Sequence, residues 1–142
     1  MSQWHCTIPG EPIGKGRPRA TTIGGHARLY TPSKTAKWEA YAAATMAQEW
    51  TGEPLRCPVQ VTIEAVFSRP KSRVWKTKPM PRYPHVSRPD GDNVAKAVCD
   101  SLEKAGVLHN DSQAWVLHVV KWVADGHGQS HVRVIVLWEA DR

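Results

Sequence analysis

The chain has 142 residues, of which 41% are hydrophobic and 23% are charged, and its net charge is +6. This length provides one buried core but is short for two, so we expect a single domain over residues 1–142. The positive charge favours an anionic partner such as nucleic acid. No run of about eighteen apolar residues occurs, and no charged start precedes an apolar stretch, which argues against a membrane span and a signal peptide. A cytoplasmic location is therefore expected.

The N-terminal third is predicted to begin with a strand from Trp4 to Ile8 and to continue as a long loop. Residues 9–32 contain too many Gly and Pro residues for long regular elements, although Gly24-Gly25 can turn a small hairpin whose second arm is Ala27–Tyr30. Against one acid, Glu11, the loop carries several cations that we interpret as contacts to DNA phosphates, namely Lys15, Arg17, Arg19 and Arg28. A solvated loop with incidental charge is the alternative.

The middle of the chain predicts a helix followed by a strand. Ser33 is a candidate N-cap for an alanine-rich helix over residues 34–50, which Gly52 ends. Residues Val59–Phe67 then alternate between apolar and polar side chains, a pattern typical of a half-buried strand.

A basic segment, Ser68–Arg88, follows this strand and is called the basic arm below. Four prolines prevent a helix or an interior strand, so we expect an irregular, mobile arm that places DNA phosphates next to the segment that follows it. Trp75 and Tyr83 are interleaved with the cations and either stack on a base or pack within the arm. The arm contains no acid and seven cations, which are Arg69, Lys71, Arg73, Lys76, Lys78, Arg82 and Arg88.

The C-terminal third predicts a helix and two strands. Apolar residues at helical spacing indicate a helix from about Asn93 to Ala105, with Gly106 as its stop. Two apolar runs flank the Gly-rich turn 125–130 and are predicted to form a C-terminal hairpin. Because the second run is apolar on both faces, it needs cover on both sides, from a second subunit or from the 34–50 helix. Lys121 lies at the end of a predicted strand. We expect its side chain either to contact a DNA phosphate or to be exposed to solvent.

Three aspartates surround the second helix. Asp90 and Asp92 lie in the turn before it and Asp111 lies in the turn after it, a spacing that can gather three carboxylates at one point. Hard divalent cations such as Mg²⁺ take oxygen ligands, typically one or two carboxylates with water and substrate phosphate. Carboxylates of this kind in a basic protein therefore suggest phosphodiester chemistry. The plainer alternative is a surface ladder in which Asp92 and Asp100 pair with Lys96 while Asp90 caps the helix.

Zinc is a weaker alternative. His109 and His118 are close to Asp111 in sequence, but no His-x₃-His or Cys-x-x-Cys spacing occurs. The odd number and wide spacing of the cysteines also argue against a disulfide framework, so we expect reduced and buried thiols at Cys6, Cys57 and Cys99.

The run PDGDN-x-x-KA-x-x-D-x-L, followed by Asp-Ser-Gln, resembles the RusA family of Holliday junction resolvases. The resemblance implies that Asp90, Asp92 and Asp111 bind Mg²⁺, with Mn²⁺ as a substitute, and that Lys96 is also needed for cleavage. It further implies a magnesium-dependent hydrolase that cuts branched DNA, the four-way junction, in recombination and repair. Where relatives often have two acidic residues before the Gln, this chain has Asn110, which leaves Asp111 as the third ligand.

The resemblance also implies an architecture and an assembly. We expect an α+β fold of two layers, in which a mixed β-sheet is packed by two main helices, and a homodimer without a nucleotide cofactor. Two other functions stay open. One is a non-catalytic DNA-binding or regulatory protein with the same fold, and the other is a nuclease that acts on flaps, forks or single strands.

Overall fold

Strand Val59–Phe67 lies at the centre of the molecule, and the other elements are arranged around it. The computed structural model describes residues 1–16, 19–30 and 32–139, although the side chains of several residues in 19–30 are not described. Within these ranges the chain forms two α-helices and seven strands, besides two single-turn 3-10 helices at Lys71–Arg73 and Asp111–Gln113. The α-helices and strands are β1 (Ser2–Pro9), β2 (Arg19–Ile23), β3 (His26–Tyr30), α1 (Ser33–Glu49), β4 (Val59–Phe67), β5 (Tyr83–Pro84), α2 (Gly91–Lys104), β6 (Ala114–Val123) and β7 (His131–Trp138).

The main sheet has the strand order β1-β7-β4-β6-β5, and β2 pairs with β3 in a separate two-stranded sheet. Strand β4 runs parallel to β6 and antiparallel to β7. The predicted C-terminal hairpin is therefore wrong, because β4 lies between β6 and β7. The connection 124–130 is long enough to pass the end of β4, where the amide of Ala124 donates to the carbonyl oxygen of Phe67 at 2.8 Å. The mixed character of the sheet, by contrast, is confirmed.

Both helices pack on the same face of this sheet. Alternate residues of β4 are buried, as the sequence predicted, and the same face includes the buried valines of β7. Met46 from α1 and Leu102 from α2 lie in this core with Ile8 from β1, all fully buried. Removing such a side chain by a change to Ala typically costs about 2–5 kcal/mol. The two-layer α+β fold with two main helices is thus confirmed.

The opposite face of the sheet has no covering helix within the described ranges. Gln60, Thr62 and Glu64 of β4 point to this side and are half-buried, next to Ile135 and Leu137 of β7. The idea that the first helix covers this second face of β7 is wrong, since α1 and α2 share one core cluster.

The glycines that were predicted to form turns or to end helices do so, whereas the predicted N-cap of α1 is wrong. The β2–β3 hairpin turns at Gly24 and Gly25, both with positive φ, and α2 is followed by Gly106 at φ 78°. The predicted N-cap at Ser33 is wrong, because Pro32 occupies the cap position of α1. Of the helices in the described ranges, none is long and apolar enough to cross a membrane.

Candidate active site and nucleic-acid interface

Asp90 and Asp92 lie at the N-terminus of α2. Asp90 is the residue before the first helical turn and has extended backbone angles, φ −67° and ψ 152°, yet its side chain makes no capping hydrogen bond to the described chain. Asp92 is the acidic residue of the first turn, and both side chains are exposed. The predicted role of Asp90 as a cap is therefore not what the structure shows. Its carboxylate points to solvent.

The surface ladder along α2 is also not formed. Asp100 pairs with Lys15, at 2.9 Å, and within the described ranges Lys96 forms no ion pair with Asp92 or Asp100. Lys96 is exposed one helical turn after Asp92. The first turns of α2 thus expose two carboxylates and one ammonium group to solvent. Within the described ranges they form no ion pairs with each other, so these charges are not explained by a stabilising salt-bridge ladder.

A cleft of about 790 Å³ opens beside Asp90. Its walls are the backbone of the Gly14-Lys15-Gly16 loop, the start of α1 and the segment that leads into α2. Arg88 from the basic arm and Lys34 from the first turn of α1 contribute cationic side chains, and both are exposed. Lys34 is not among the cations predicted to contact DNA. The signal was its position at a helix start directly after the basic loop.

Lys121 holds the turn that carries Asp90. Its ammonium donates to the carbonyl oxygens of Ser87 at 2.9 Å and of Pro89 at 2.7 Å. Neither predicted role of Lys121, phosphate contact or free solvation, describes this arrangement. A cation near the end of β6 instead fixes the residues just before the aspartate.

Lys15 is engaged inside the protein, which conflicts with its predicted role as a phosphate contact. Its ammonium lies 2.9 Å from Glu39 and 2.9 Å from Asp100, and its side chain is only 17% exposed. Burial alone would lower the pKa of Lys15, but the hydrogen bonds that its ammonium donates to Glu39 and Asp100 outweigh burial and raise the pKa. Glu39 is completely buried and receives a second ammonium from Lys104 at 2.7 Å. A buried charge needs such partners.

The loop that carries Lys15 also braces the start of α2. The amide of Lys15 donates to the carbonyl oxygen of Asn93 at 2.8 Å, and the amide of Gly16 donates to Oγ1 of Thr35 at 3.1 Å. A Cβ atom on Gly14 would lie 2.5 Å from Cβ of Pro89, so only glycine fits without a shift. The loop and the aspartate turn therefore form one wall of the cleft.

Asp111 is held at the other end of α2. Its amide donates to Oε1 of Glu103 at 3.2 Å, and the turn around it is closed by a capping box between Asn110 and Gln113. The side-chain amide of Gln113 donates to two carbonyl oxygens that precede β4. Asn110 thus supplies a cap, and its side-chain oxygen accepts from the amide of Ser112 at 2.8 Å.

One chain does not bring the three aspartates together. A Cβ atom on Gly91 would lie 3.7 Å from Val119, in the second half of β6, whereas Asp111 precedes the start of β6. In the described part of the chain, no three His, Cys, Asp or Glu side chains form a group that could hold a metal ion. Within one chain, the described structure therefore leaves Asp111 apart from Asp90 and Asp92, at the other end of α2. The metal site of three aspartates stays a prediction.

The basic arm is irregular, as predicted, but it is organised around Arg69. The guanidinium of Arg69 donates to the carbonyl oxygens of Arg73 at 2.6 Å and Pro81 at 2.8 Å, and it lies over the rings of Trp75 and Tyr83. These internal contacts favour a structural role for Arg69 rather than the predicted phosphate contact. They also give Trp75 and Tyr83 packing partners within the arm, which is the second of the two roles considered for these side chains.

The other predicted cations of the arm have exposed side chains that can reach a ligand, and these are Lys71, Arg73, Lys76, Lys78, Arg82 and Arg88. Arg73 lies 4.6 Å from the ring centroid of Tyr83, and Arg82 lies 4.1 Å from that of Trp122. Arg17 and the side chains of Arg19 and Arg28 are outside the described residues.

The cysteines are free thiols. Cys6 and Cys99 are buried, as predicted, whereas Cys57 is half-buried. Burial, with help from the nearby charges of Asp111 and Asp100, raises the pKa of Cys99 to about 12, and burial raises that of Cys6 to about 11. These two thiols are therefore protonated near neutral pH and are poor metal ligands.

Comparison with known proteins agrees with the fold. The family model described as endodeoxyribonuclease RusA matches residues 9–135. The chain therefore belongs to the RusA endodeoxyribonuclease family, a class of nucleases that hydrolyse phosphodiester bonds.

Two relatives are similar along most of their length. The crossover junction endodeoxyribonuclease RusA of Aquifex aeolicus is 25% identical over 126 residues, which cover 89% of this chain and 86% of the relative. The uncharacterized protein YqaN of Bacillus subtilis is 27% identical over 124 residues, which cover 84% of this chain and 87% of the relative.

Proposed function

We propose that the chain is a Mg²⁺-dependent endonuclease that cuts four-way DNA junctions in recombination and repair. We further propose that residues 1–142 act as one domain and that the protein acts as a homodimer. The observation that carries the proposal is the pair Asp90 and Asp92, exposed and without ion pairs in the described ranges, beside a cleft that is lined by cations. In a member of a nuclease family, such a pair is best explained by a ligand that comes from outside.

The donor atoms at the start of α2 suit a hard divalent cation. Carboxylate oxygens are the ligands that Mg²⁺ and Mn²⁺ prefer, and two of them leave room for water and a phosphate oxygen. Asp90 and Asp92 would hold the ion, with Asp111 as the third ligand once a rearrangement or the partner chain of the proposed homodimer brings it close. When bound, the ion would polarise the scissile phosphate and lower the pKa of the attacking water.

The cations around the pair would act on the substrate itself. Lys96, exposed one turn after Asp92, is suited to neutralise charge that develops on the phosphate during attack. Arg88 and Lys34 would hold the DNA backbone against the cleft, and the exposed cations of the basic arm would extend this contact. Water adds to phosphorus, the bond from phosphorus to the 3′ oxygen breaks, and the products are a 5′ phosphate and a 3′ hydroxyl group.

The junction is proposed as the substrate because of the relatives and of symmetry. The Aquifex aeolicus relative is named for crossover junctions. Paired cuts in a four-way junction call for two active sites that are related by a two-fold axis, which a homodimer supplies.

Cleavage of labelled substrates by the purified protein tests the proposal. We expect cleavage of a four-way junction in Mg²⁺, little cleavage of linear duplex, and loss of cleavage in EDTA. If forks or flaps are cut faster than the four-way junction, the proposed substrate is wrong and the fork or flap takes its place. If the protein binds the junction tightly but does not cleave it in Mg²⁺ or Mn²⁺, the proposed nuclease activity is wrong and the protein is a non-catalytic DNA-binding protein.

A further inference from the structure

Val86 is an exposed apolar residue of the basic arm and lies four residues before Asp90. Among the large apolar side chains of the arm it is the most exposed, at 90%, and Val74 follows at 50%. The two aromatic side chains that were considered for base stacking, Trp75 and Tyr83, already pack against a guanidinium group. Val86 is therefore the apolar side chain of the arm that a ligand reaches most easily.

The chain on the N-terminal side of Val86 is anchored to the main sheet. The ring of His85 stacks on that of Phe67 at the end of β4, and the two centroids are 3.7 Å apart. The amide of His85 donates to the carbonyl oxygen of Lys121 at 3.0 Å, so neither contact uses the ammonium of Lys121. Single apolar side chains are common on protein surfaces, but few are held outward in this way. Because the backbone is already fixed, Val86 can bind a ligand with little loss of chain entropy.

The chain on the C-terminal side of Val86 is tied to the aspartate turn. The ammonium of Lys121 joins the carbonyl oxygens of Ser87 and Pro89, at 2.9 Å and 2.7 Å. The four residues from Val86 to Asp90 span at most about 14 Å when fully extended. Successive phosphates of one DNA strand are about 3.4 Å apart along the helix axis. Val86 therefore reaches DNA within about four nucleotides of a phosphate that is bound at Asp90.

The surroundings of Val86 favour DNA as the ligand. Residues 68–88 contain seven cations and no acid. The other exposed residues of 81–88 are two prolines, two arginines and one serine, whereas the core of a protein interface is a cluster of apolar side chains. Proteins that deform DNA often insert one apolar side chain between base steps while cations hold the backbone. Val86 and the exposed Arg88 have this combination of side chains.

We infer that Val86 inserts between bases at the branch point of a junction and thereby selects branched DNA over linear duplex. The inference rests on the proposed function, whose substrate recognition it deepens. Insertion into a linear duplex must separate two stacked base pairs, which is unfavourable, whereas stacking is already interrupted at a branch point. The same side chain is therefore easier to insert at the branch point. Selection of this kind depends on the shape of the DNA and needs no contact that identifies a base.

Binding and base unstacking, both measured in EDTA, test this role without relying on cleavage. A four-way junction carries the fluorescent base 2-aminopurine beside the branch point, and a linear duplex carries it in the same sequence. We expect the wild type to raise the fluorescence of the bound junction and to leave that of the duplex nearly unchanged. Val86→Ser should remove this rise at saturating protein and lower the junction affinity about tenfold, because an apolar side chain is no longer buried between bases. The duplex affinity and the salt slope should not change.

Two further variants separate insertion from other effects. Val74→Ser makes the same change at the other exposed valine of the arm and should alter none of these quantities. Val86→Ile keeps an apolar side chain and should behave like the wild type. The inference is refuted if Val86→Ser still prefers the junction and raises the fluorescence, or if it loses junction and duplex affinity equally. A wild type that leaves the bases of the bound junction stacked also refutes it.

Light scattering distinguishes insertion into DNA from a contact between protein chains. Val86→Ser should have the same mass in solution as the wild type, and a smaller mass would assign this side chain to a protein interface and overturn the inference. The proposed function fails separately. If the wild type selects the junction through Val86 but cleaves nothing in Mg²⁺ or Mn²⁺, only the nuclease activity is wrong. If it cleaves the junction but its selectivity does not depend on Val86, only the insertion is wrong.

Discussion

The ammonium of Lys121 donates a hydrogen bond to the carbonyl oxygen of Pro89 at 2.7 Å, so β6 directly fixes the residue before Asp90. We expect Lys121→Met to lower the cleavage rate by about tenfold, because misplaced reacting groups slow a reaction even when they are all present. Junction affinity without metal should stay nearly unchanged, since this ammonium is already used inside the chain. Single-turnover cleavage and binding assays measure both, and Lys37→Met, at an exposed site on α1, is the control. A Lys121→Met protein that cuts normally would remove this residue from site positioning.

Neutralising the carboxylates should separate cleavage from binding. We expect Asp90→Asn, Asp92→Asn and Asp111→Asn each to abolish cleavage and to weaken Mn²⁺ binding. Junction binding in EDTA should be preserved or tighter, because a negative charge near the phosphates is removed. Glu53→Gln, an exposed change between α1 and β4, should alter none of these quantities. Loss of junction binding in all three variants would indicate a folding defect instead.

Lys96 has no internal role in the described ranges that its removal would disturb. We expect Lys96→Ala to lower the rate of the chemical step at least a hundredfold while junction affinity and the free energy of unfolding stay within the range of surface changes, about 0.5 kcal/mol. Rapid-quench cleavage and urea unfolding test the two expectations. An unchanged rate would exclude Lys96 from the mechanism.

Lys15 and Lys104 form a matched pair, because both ammonium groups bond the buried carboxylate of Glu39 but only Lys15 lies in the cleft wall. Each change to Met should lower the free energy of unfolding by about 1–3 kcal/mol, measured in urea. We expect Lys15→Met, but not Lys104→Met, also to reduce cleavage, and expect neither to change the salt dependence of junction binding. A smaller salt slope in Lys15→Met would restore Lys15 as a phosphate contact.

The raised pKa of Lys15 gives this contribution a pH dependence. The pKa is higher in the folded chain than in the unfolded chain, so the stabilisation is complete below the ordinary lysine pKa of 10.5 and is lost as the pH rises above it. Unfolding at pH 7 and at alkaline pH should therefore differ more for the wild type than for Lys15→Met.

The exposed cations of the basic arm should act through ionic contacts. Changing Arg73, Lys76 and Lys78 together to Ala should weaken junction binding and reduce the slope of log affinity against log salt by about one unit per lost contact. Arg69→Ala should behave differently, lowering stability through the loss of its carbonyl hydrogen bonds. An unchanged salt slope in the triple variant would mean that the arm does not touch DNA.

Local patterns in the sequence predicted most of the elements, and non-local pairing explains what they missed. Alternation identified β4, and Gly106 marked the end of α2, because these signals depend on neighbours in the chain. The position of β4 between β6 and β7 could not be predicted from the sequence. The alternating pattern of a strand shows which face is apolar, but it does not show which strands pair with its two edges. The partners of Lys15 and Lys121 are 24 or more residues away in the sequence. A lysine in a sequence therefore does not show whether its ammonium binds a carboxylate, a carbonyl oxygen or a phosphate.

The distance between Asp111 and the two aspartates at the start of α2 also bears on metal affinity. A single chain offers an ion two carboxylates at one end of this helix and one at the other, so we expect one chain by itself to hold Mg²⁺ loosely.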